Sequence, residues 1–581
     1  MVLCVLCAHS TGLDWGLSGA RSLRQRDLAC CVKHQKEHVG GARASANNLF
    51  YHQQIIMKHQ EESNVLLASA LLMPLALTAT AAQKSHHQRT DKPNVIFIVA
   101  DDLGYGDLGC YGAQGVSTPN VDKLAKEGTR FTDCHAVASI STPSRYSLLT
   151  GEYAWRRPDT DVAPGNAAMI IKPQQLTVAD LFKSRGYATA AIGKWHLGLG
   201  DKTGEQDWNA PLAAGPGDLG FDYSYLMAAT SDRVPCVFIE NGIVANHDPS
   251  APIEVSYRKP FEGVPTGQTN PELMYNLKPS HGHNMAVVNG IGRIGYMKGG
   301  GKALWKDEDI ADSITTHALN FIKRHADEPF MMYLCTNDVH VPRFPHQRFR
   351  GKSTMGLRGD AIAQFDWTVG QVTSLLKKLG LDENTLVILT SDNGPVLDDG
   401  YQDRAEELLG NHKPSGPFRS GKYSSFEGGT MVPFIARWPK TIAAGQQSDA
   451  LISHIDLMAT MASLLNVPIP QREAADSRDQ LQSWLGKDKV GRDYVVEQST
   501  SRVLSVRTKQ WKYIEPSNGP KMITWGPKIE TGNDKLPQLY NLNGNPYETT
   551  NVAAENPETV SQMQAIIQKE RTAHKASVQV K

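Results

Sequence analysis

Two continuous apolar runs that end in oxygen-bearing side chains constrain the fold of this chain most. Asn94-Val95-Ile96-Phe97-Ile98-Val99-Ala100 has the length of a strand, lacks polar alternation, and runs straight into Asp101-Asp102. Thr385 to Leu389 repeats the arrangement and delivers Ser391-Asp392-Asn393-Gly394. A strand that is apolar on both sides has both faces of its sheet covered, as in a parallel sheet between helices. Open α/β sheets bind ligands beyond the carboxyl ends of their strands, where both acidic clusters would fall. Adjacent carboxylates repel unless a cation lies between them; a solvated pair in a loop is the other reading.

The intervening elements fit an α/β chain. Thr118-Pro119 opens a helix that Gly128 stops, with Asp122 in its first turn. Leu176 to Ser184 is a second helix, and Tyr187 to Ile192 a further buried strand that leads into Gly193-Lys194-Trp195-His196. Residues two apart on extended chain point the same way, so Lys194 and His196 can face one ligand, although a lone His is more often structural. Asp307 to Arg324 carries Ile310, Ile314, Ala318 and Phe321 on one helical face. Phe330 to Leu334 is a strand whose exit holds His340, a residue that titrates near neutrality and suits general acid work. Ala361 to Leu379 is the next helix.

Between these elements lies Ser141-Thr142-Pro143-Ser144-Arg145-Tyr146-Ser147-Leu148-Leu149-Thr150-Gly151. Pro143 suits a first helical turn, Ser141 would stand at the positive end of that helix, and Arg145 one turn on, on the same side. The stretch resembles the signature of the formylglycine-dependent sulfatases, in which the first residue, a Cys or Ser, is oxidised to an aldehyde. Further blocks similar to that family follow in its order from Asn94 to about Asn551, including Phe418 to Pro433 with Lys422.

The resemblance implies an alkaline-phosphatase-like α/β domain with a mainly parallel central sheet flanked by helices, plus a smaller C-terminal α+β subdomain with an antiparallel sheet. It implies a metal held by Asp101, Asp102, Asp392 and Asn393. These are hard oxygens that suit calcium, favoured here over magnesium for its larger and more flexible shell. Ser141, Arg145, Lys194, His196, His340 and Lys422 become the catalytic set. Formylglycine made from Ser141 would be hydrated; one hydroxyl attacks sulfur and the other expels sulfate as the aldehyde re-forms. Lys194, Lys422 and Arg145 add positive charge, His340 protonates the leaving oxygen and His196 steers the hydrate. Serine at 141 implies an anaerobic radical maturation enzyme and a bacterial source.

Residues 201–306 are irregular, and a loop region of that length inside an α/β protein is more often functional than idle. Asp232, Arg233, His281, His283, Arg293 and Lys298 are its candidates for gripping the rest of the substrate, each weighed evenly against a surface role. Asp232 to Val237 and Gly290 to Gly299 are similar to segments of sulfatases acting on galactose or N-acetylgalactosamine. A sulfated glycan is therefore the expected substrate, ahead of an aryl sulfate. A serine phosphohydrolase and an inert sulfated-glycan-binding protein are the alternatives from other classes.

The 581 residues are 40% hydrophobic and 21% charged, with a formal net charge of zero, which argues against nucleic-acid binding through bulk charge. Residues 1–56 show no sustained apolar period and read as an upstream extension. Residues 57–82 read as a signal peptide, with an apolar run from Val65 to Leu77 too short to span a bilayer. Export, the periplasm and no membrane span in the mature chain follow as expectations. Residues 83–470 form the expected catalytic domain, and residues 471–581 a linker and the C-terminal subdomain. There Asp493 to Gln498, Val503 to Arg507 and Trp511 to Ile514 read as strands, and Pro557 to Lys569 as a closing helix. Cys110, Cys134, Cys236 and Cys335 allow up to two disulfides and show no zinc spacing.

Overall fold

The computed structural model describes residues 91–573. The extension and signal peptide read from the sequence lie outside them. The described residues belong to one compact unit. Its main sheet has ten strands: β1 (Asn94–Ala100), β2 (Thr129–Phe131), β3 (Ala188–Lys194), β4 (Tyr223–Met227), β5 (Phe238–Glu240), β6 (Ile243–Val244), β7 (Phe330–Cys335), β8 (Thr385–Ser391), β9 (Phe434–Arg437) and β10 (Gln446–Ser448). Their spatial order is β10-β2-β9-β8-β1-β7-β3-β4-β5-β6. The five strands β8-β1-β7-β3-β4 are mutually parallel, and antiparallel pairs flank them on both sides.

All seven residues of β1 and all six of β7 are buried, so both sheet faces are covered, as the unbroken apolar runs predict. The cover comes from helices α1 (Pro119–Lys126), α2 (Ser141–Thr150), α3 (Val178–Ser184), α4 (Ile310–Arg324), α5 (Gly356–Lys378) and α6 (Leu457–Leu465). On α4 the predicted face is the buried one: Ile310, Ile314, Ala318 and Phe321 are each at most 1% exposed. Helix α2 is buried along its whole length and starts at Ser141 itself, with Ile140 as an extended N-cap.

Register brings the parallel strands to a common end. Ala100 pairs with Ser391, Val99 with Cys335, Cys335 with Gly193, and Lys194 with Met227. The residues that follow each strand therefore emerge at one level above the sheet. Gly193 is required here: it has φ +100°, and a Cβ would lie 1.8 Å from the Cys335 carbonyl oxygen.

The C-terminal part adds a four-stranded antiparallel sheet, β11 (Val495–Gln498), β12 (Leu504–Arg507), β13 (Trp511–Ile514) and β14 (Gln538–Asn541), with Met563 and Ile567 of α7 (Pro557–Ala573) packed on it. In the polar residues 471–478, at the start of the stretch read as a linker, the Asp476 carboxylate accepts from Tyr153 N–H at 2.7 Å and Arg156 Nε at 2.8 Å. Cys110, Cys134, Cys236 and Cys335 are all free thiols, so no disulfide forms among them. Among the described residues no helix is long and apolar enough to cross a membrane.

Buried charges join the small sheet to the large unit. Lys512 of β13 reaches Glu427 at 3.1 Å and also Glu497, while Arg507 of β12 binds Glu427 at 2.8 Å and Asp133 at 2.9 Å. His135 lies between Glu497 (2.8 Å) and Asp133 (3.1 Å). Burial alone would depress its imidazole, but Glu427, Glu497 and Asp133 outweigh that and lift it to about 9. A raised folded pKa means that this contribution to stability is complete below about pH 6.5 and is lost as pH rises through 9. The melting temperature is therefore expected to fall between pH 7 and 9.5, and to fall less in His135→Gln. Lys512→Ala leaves two buried carboxylates short of a partner, and is expected to cost about 3–5 kcal/mol in denaturant unfolding.

Candidate active site

Each of the five parallel strands delivers residues to one site. β1 gives Asp101 and Asp102, β8 gives Asp392 and Asn393, β3 ends in Lys194 and leads to His196, β7 leads to His340, and β4 leads to Asp232 and Arg233. The N-terminus of α2 brings Ser141 into the same place, and the segment before β9 brings Lys422.

Ser141 Oγ accepts from Lys194 Nζ at 2.7 Å and stands 3.3 Å from Asn393 Oδ1 and 3.5 Å from Asp101 Oδ1. Lys194 also donates to Asp101 Oδ1 at 2.5 Å and lies 3.4 Å from Asp392 Oδ2. Arg145, one helical turn beyond Ser141 and fully buried, donates to Asp392 Oδ2 from Nε at 3.0 Å. Asn393 Nδ2 donates to Asp102 Oδ1 at 2.8 Å, and Lys422 Nζ bridges Asp102 (2.8 Å) and Asp399 (2.9 Å). His340 Nε2 is 3.8 Å from Asp102 Oδ2 while Nδ1 meets the Val341 carbonyl at 2.6 Å. His196 Nε2 meets the Ala163 carbonyl at 3.0 Å, and Nδ1 has no partner among the described residues.

Above this floor opens a cavity of about 80 Å3, lined by Ser141, His196, His340 and Lys422 and walled by Asp232, Arg233 and His283. Asp232 accepts from Arg233 Nη1 at 2.8 and 2.9 Å and meets His283 Nε2 at 3.1 Å. Three of the six residues expected to grip the substrate are thus at the cavity. His281 is outside the lining, its ring 6.0 Å from that of His283. Arg293 and Lys298 do not reach it. Arg293 is fully buried on Asp307 (2.7 Å) and on the carbonyls of Ser231 and Val288, so it braces the loop. Lys298 pairs with Glu254 at 2.6 Å across a two-stranded ribbon. The sequence placed both in the right segment, but only packing decides which way a loop side chain turns.

Asp399 and Tyr423 were not predicted. The Tyr423 hydroxyl donates to Asp399 at 2.9 Å, and Asp399 in turn holds Lys422. Asp398-Asp399-Gly400 is a signal of the same kind as Asp101-Asp102. Trp525 and Val162, at the cavity mouth, had no sequence signal.

Backbone strain is present at the site. Asp102 (φ 57°), His196 (φ 58°), His283 (φ 44°), Val339 (φ 77°) and Tyr423 (φ 77°) all lie in the left-handed region without being glycine. Each costs about 1–3 kcal/mol, which the surrounding packing must offset, and such outliers gather at functional sites.

The charges do not balance. Asp101, Asp102, Asp392 and Asp399 face Arg145, Lys194 and Lys422, which leaves one negative charge in excess. Burial, opposed by Lys194 and aided by Asp392 and Asp102, pushes the Asp101 carboxyl up to about 8. Its Oδ2 is buried with no partner among the described residues. A divalent cation on these oxygens would relieve both, turn the excess positive, and suit an anionic ligand; the all-oxygen set fits calcium. Burial, Lys194 and Arg233 hold His196 well below its usual range, and burial and Lys422 do the same for His340, so both imidazoles are neutral at pH 7.

A cation bound only by the folded protein adds about 2.7 kcal/mol at a hundredfold excess over its Kd. Calcium is therefore expected to raise the melting temperature of the wild type but not of Asp101→Asn or Asp392→Asn. An equal rise in all three would place the ion elsewhere.

A family profile for sulfatases matches residues 93–467. N-acetylgalactosamine-6-O-sulfatase of Bacteroides thetaiotaomicron is 52% identical over 490 residues, which is 84% of this chain and 95% of that protein. Human arylsulfatase A is 31% identical over 497 residues, 82% of this chain and 87% of its own length. A solved structure from the metabolism of multiple glycosaminoglycans by Bacteroides thetaiotaomicron superposes with a TM-score of 0.81 at 52% identity, covering 83% of this chain and 100% of that one. With the profile covering every site residue from Asp101 to Lys422 and the whole main sheet, and with a relative 52% identical over most of the chain, the chain belongs to the sulfatase family and is a sulfuric ester hydrolase.

Proposed function

We propose that the protein is an exported bacterial glycan O-sulfatase that removes the 6-sulfate of N-acetylgalactosamine. The observation that carries this is the 52% identity to an N-acetylgalactosamine-6-O-sulfatase over nearly all of that protein, combined with a cavity that ends on Ser141. The irregular segment with Asp232, Arg233 and His283 supplies the sugar-facing wall, two charged groups and an imidazole suited to ring hydroxyls. Galactose 6-sulfate is the nearest competing substrate.

Formylglycine at position 141, made by an anaerobic radical maturation enzyme, would supply the nucleophile as a hydrated aldehyde. Asp101, Asp102, Asp392 and Asn393 would hold calcium, which supplies positive charge at a sulfate oxygen.

The remaining work falls to side chains of this chain. Lys194 donates to the oxygen at position 141 and so orients it toward the cavity. Lys422, fixed between Asp102 and Asp399, is kept charged: burial opposes this, but the two carboxylates hold its pKa well above the usual range. It can bind a non-bridging sulfate oxygen throughout the reaction. Arg145 acts from below, holding Asp392 and adding positive charge. His196, anchored through Nε2, keeps Nδ1 for the group at 141. His340 has its Nε2 toward the cavity, where it can pass a proton to the leaving oxygen. It is neutral in the free site, so the anionic ester must bring the negative charge that raises it. The catalytic domain ends at about residue 470, and the signal peptide directs the protein to the periplasm.

The test is the mass of the peptide containing Ser141, with and without the maturation enzyme, paired with sulfate release from N-acetylgalactosamine 6-sulfate. Loss of two hydrogens and activity only in that sample are expected, and Ser141→Ala should be inactive. An unmodified Ser141 in the native host, with phosphate ester hydrolysis instead, would point to a serine phosphohydrolase.

A sugar alkoxide leaves poorly without a proton, whereas an activated aryl oxide does not need one. His340→Ala is expected to lower kcat on the sugar sulfate by about 10²–10⁴, and to lower it far less on a nitrophenyl sulfate. Equal losses on both would remove His340 from the acid role.

A further inference from the structure

The mouth of the cavity is built by a segment that the chemistry above does not use. Between β13 and β14 the chain forms a hairpin over residues 521–531, closed by Ile523 N–H on Ile529 O at 2.9 Å and Thr531 N–H on Lys521 O at 3.0 Å. Its inner side is apolar, with Ile523 and Ile529 packed on Ile140, Val396 and Tyr423. Its flank is held by Arg419 on Glu530 at 2.8 and 3.0 Å and by Ser425 N–H on Thr531 O at 2.8 Å. Ile140 immediately precedes Ser141 and Tyr423 immediately follows Lys422, so the hairpin is fastened to both segments that carry reacting groups.

At its tip Trp525 stands 54% exposed at the cavity, in edge-to-face contact with Tyr423 at 5.2 Å between ring centroids. Tyr423 is buried beneath it and pinned through its hydroxyl to Asp399, which makes the support rigid. The His281 ring lies 6.2 Å from the indole, and Gly526 makes room for it: a Cβ there would be 2.1 Å from His281 Nε2. The indole is thus held by two rings, yet half of it faces water.

A hairpin tip needs no large apolar group, and polar residues are the usual choice there. The C–H face of a pyranose ring is apolar while its hydroxyls remain in water, which matches a rigid, half-exposed indole. Ser141, His340 and Lys422 line the floor of the cavity, and Trp525 lines the same cavity at an exposed position. With the sulfated sugar committed to the floor and to Asp232, Arg233 and His283, the next sugar of the chain meets the mouth.

We propose that Trp525 is the stacking platform for the sugar glycosidically linked to the sulfated one, and that it makes the protein prefer a glycan chain over a free monosaccharide sulfate. This rests on the carbohydrate reading above. The test uses matured, calcium-loaded wild type, Trp525→Ala and Trp525→Phe, with kcat/KM for sulfate release from N-acetylgalactosamine 6-sulfate and from a disaccharide ending in the same sulfated sugar. In parallel, Kd for both ligands is measured by calorimetry on the Ser141→Ala protein with and without each Trp525 change. The wild type is expected to prefer the disaccharide about tenfold in both readouts, which corresponds to about 1.4 kcal/mol. Trp525→Ala should erase that preference by lowering only the disaccharide values, and Trp525→Phe should keep most of it, with melting temperatures unchanged. No preference in the wild type, or an equal fall on both ligands in Trp525→Ala, overturns the platform. Selective disaccharide binding without any sulfate release would overturn the sulfate-ester reading and leave the platform standing.

Discussion

The common termination level of five parallel strands is the constraint on which the rest of this structure depends. Strand pairing sets the carboxyl ends of β8, β1, β7, β3 and β4 side by side, so residues hundreds of positions apart in sequence emerge within hydrogen-bond reach. A one-residue slip in any pair would move a carboxylate or a lysine by a strand step and turn it to the other face. The fully buried strands resist such a slip because both faces are packed. The site therefore inherits its rigidity from the hydrophobic core.

That rigidity is needed because the site is electrostatically expensive. Four carboxylates and three cationic side chains are held almost entirely out of water, where an unpaired charge costs several kcal/mol. Five residues also keep left-handed backbone without glycine's freedom. Both costs are accepted where charges must face a ligand instead of one another. The same arrangement explains why Lys194 and Lys422 differ. Burial and Arg145 depress the first, despite Asp101, while the carboxylates of Asp102 and Asp399 outweigh burial and hold the second firmly charged.

The C-terminal sheet is part of this machinery. It is joined to the larger unit by the buried Lys512, Arg507, Glu427, Glu497 and His135 network, and Glu427 opens the short helical turn that follows the Lys422 segment. From the same sheet a hairpin crosses to Ile140 and Tyr423. One element thus buttresses the cationic side of the site and shapes its mouth.

Much of this was legible in the chain. Unbroken apolar runs ending in Asp101-Asp102 and Ser391-Asp392-Asn393 determined a parallel α/β sheet with acidic strand ends, because burial on both faces removes any polar alternation. Local spacing determined the helix opening at Ser141 and put Arg145 one turn beyond it. Tertiary structure alone decided what depends on distant partners. Asp399 acquired meaning only when packing set it against Lys422. Arg293 and Lys298, chosen for their charge, turned to Asp307 and Glu254 because the loop folds that way, and polar residues 471–478 were tied down by Arg156 and Tyr153. The fourth strand, β14, and Trp525 at the cavity mouth follow from no local pattern. The sequence by itself determined which groups stand at strand ends, since that depends on local periodicity. The fold decided which of them share a cavity, since that depends on register and on the closure of loops far apart in the chain.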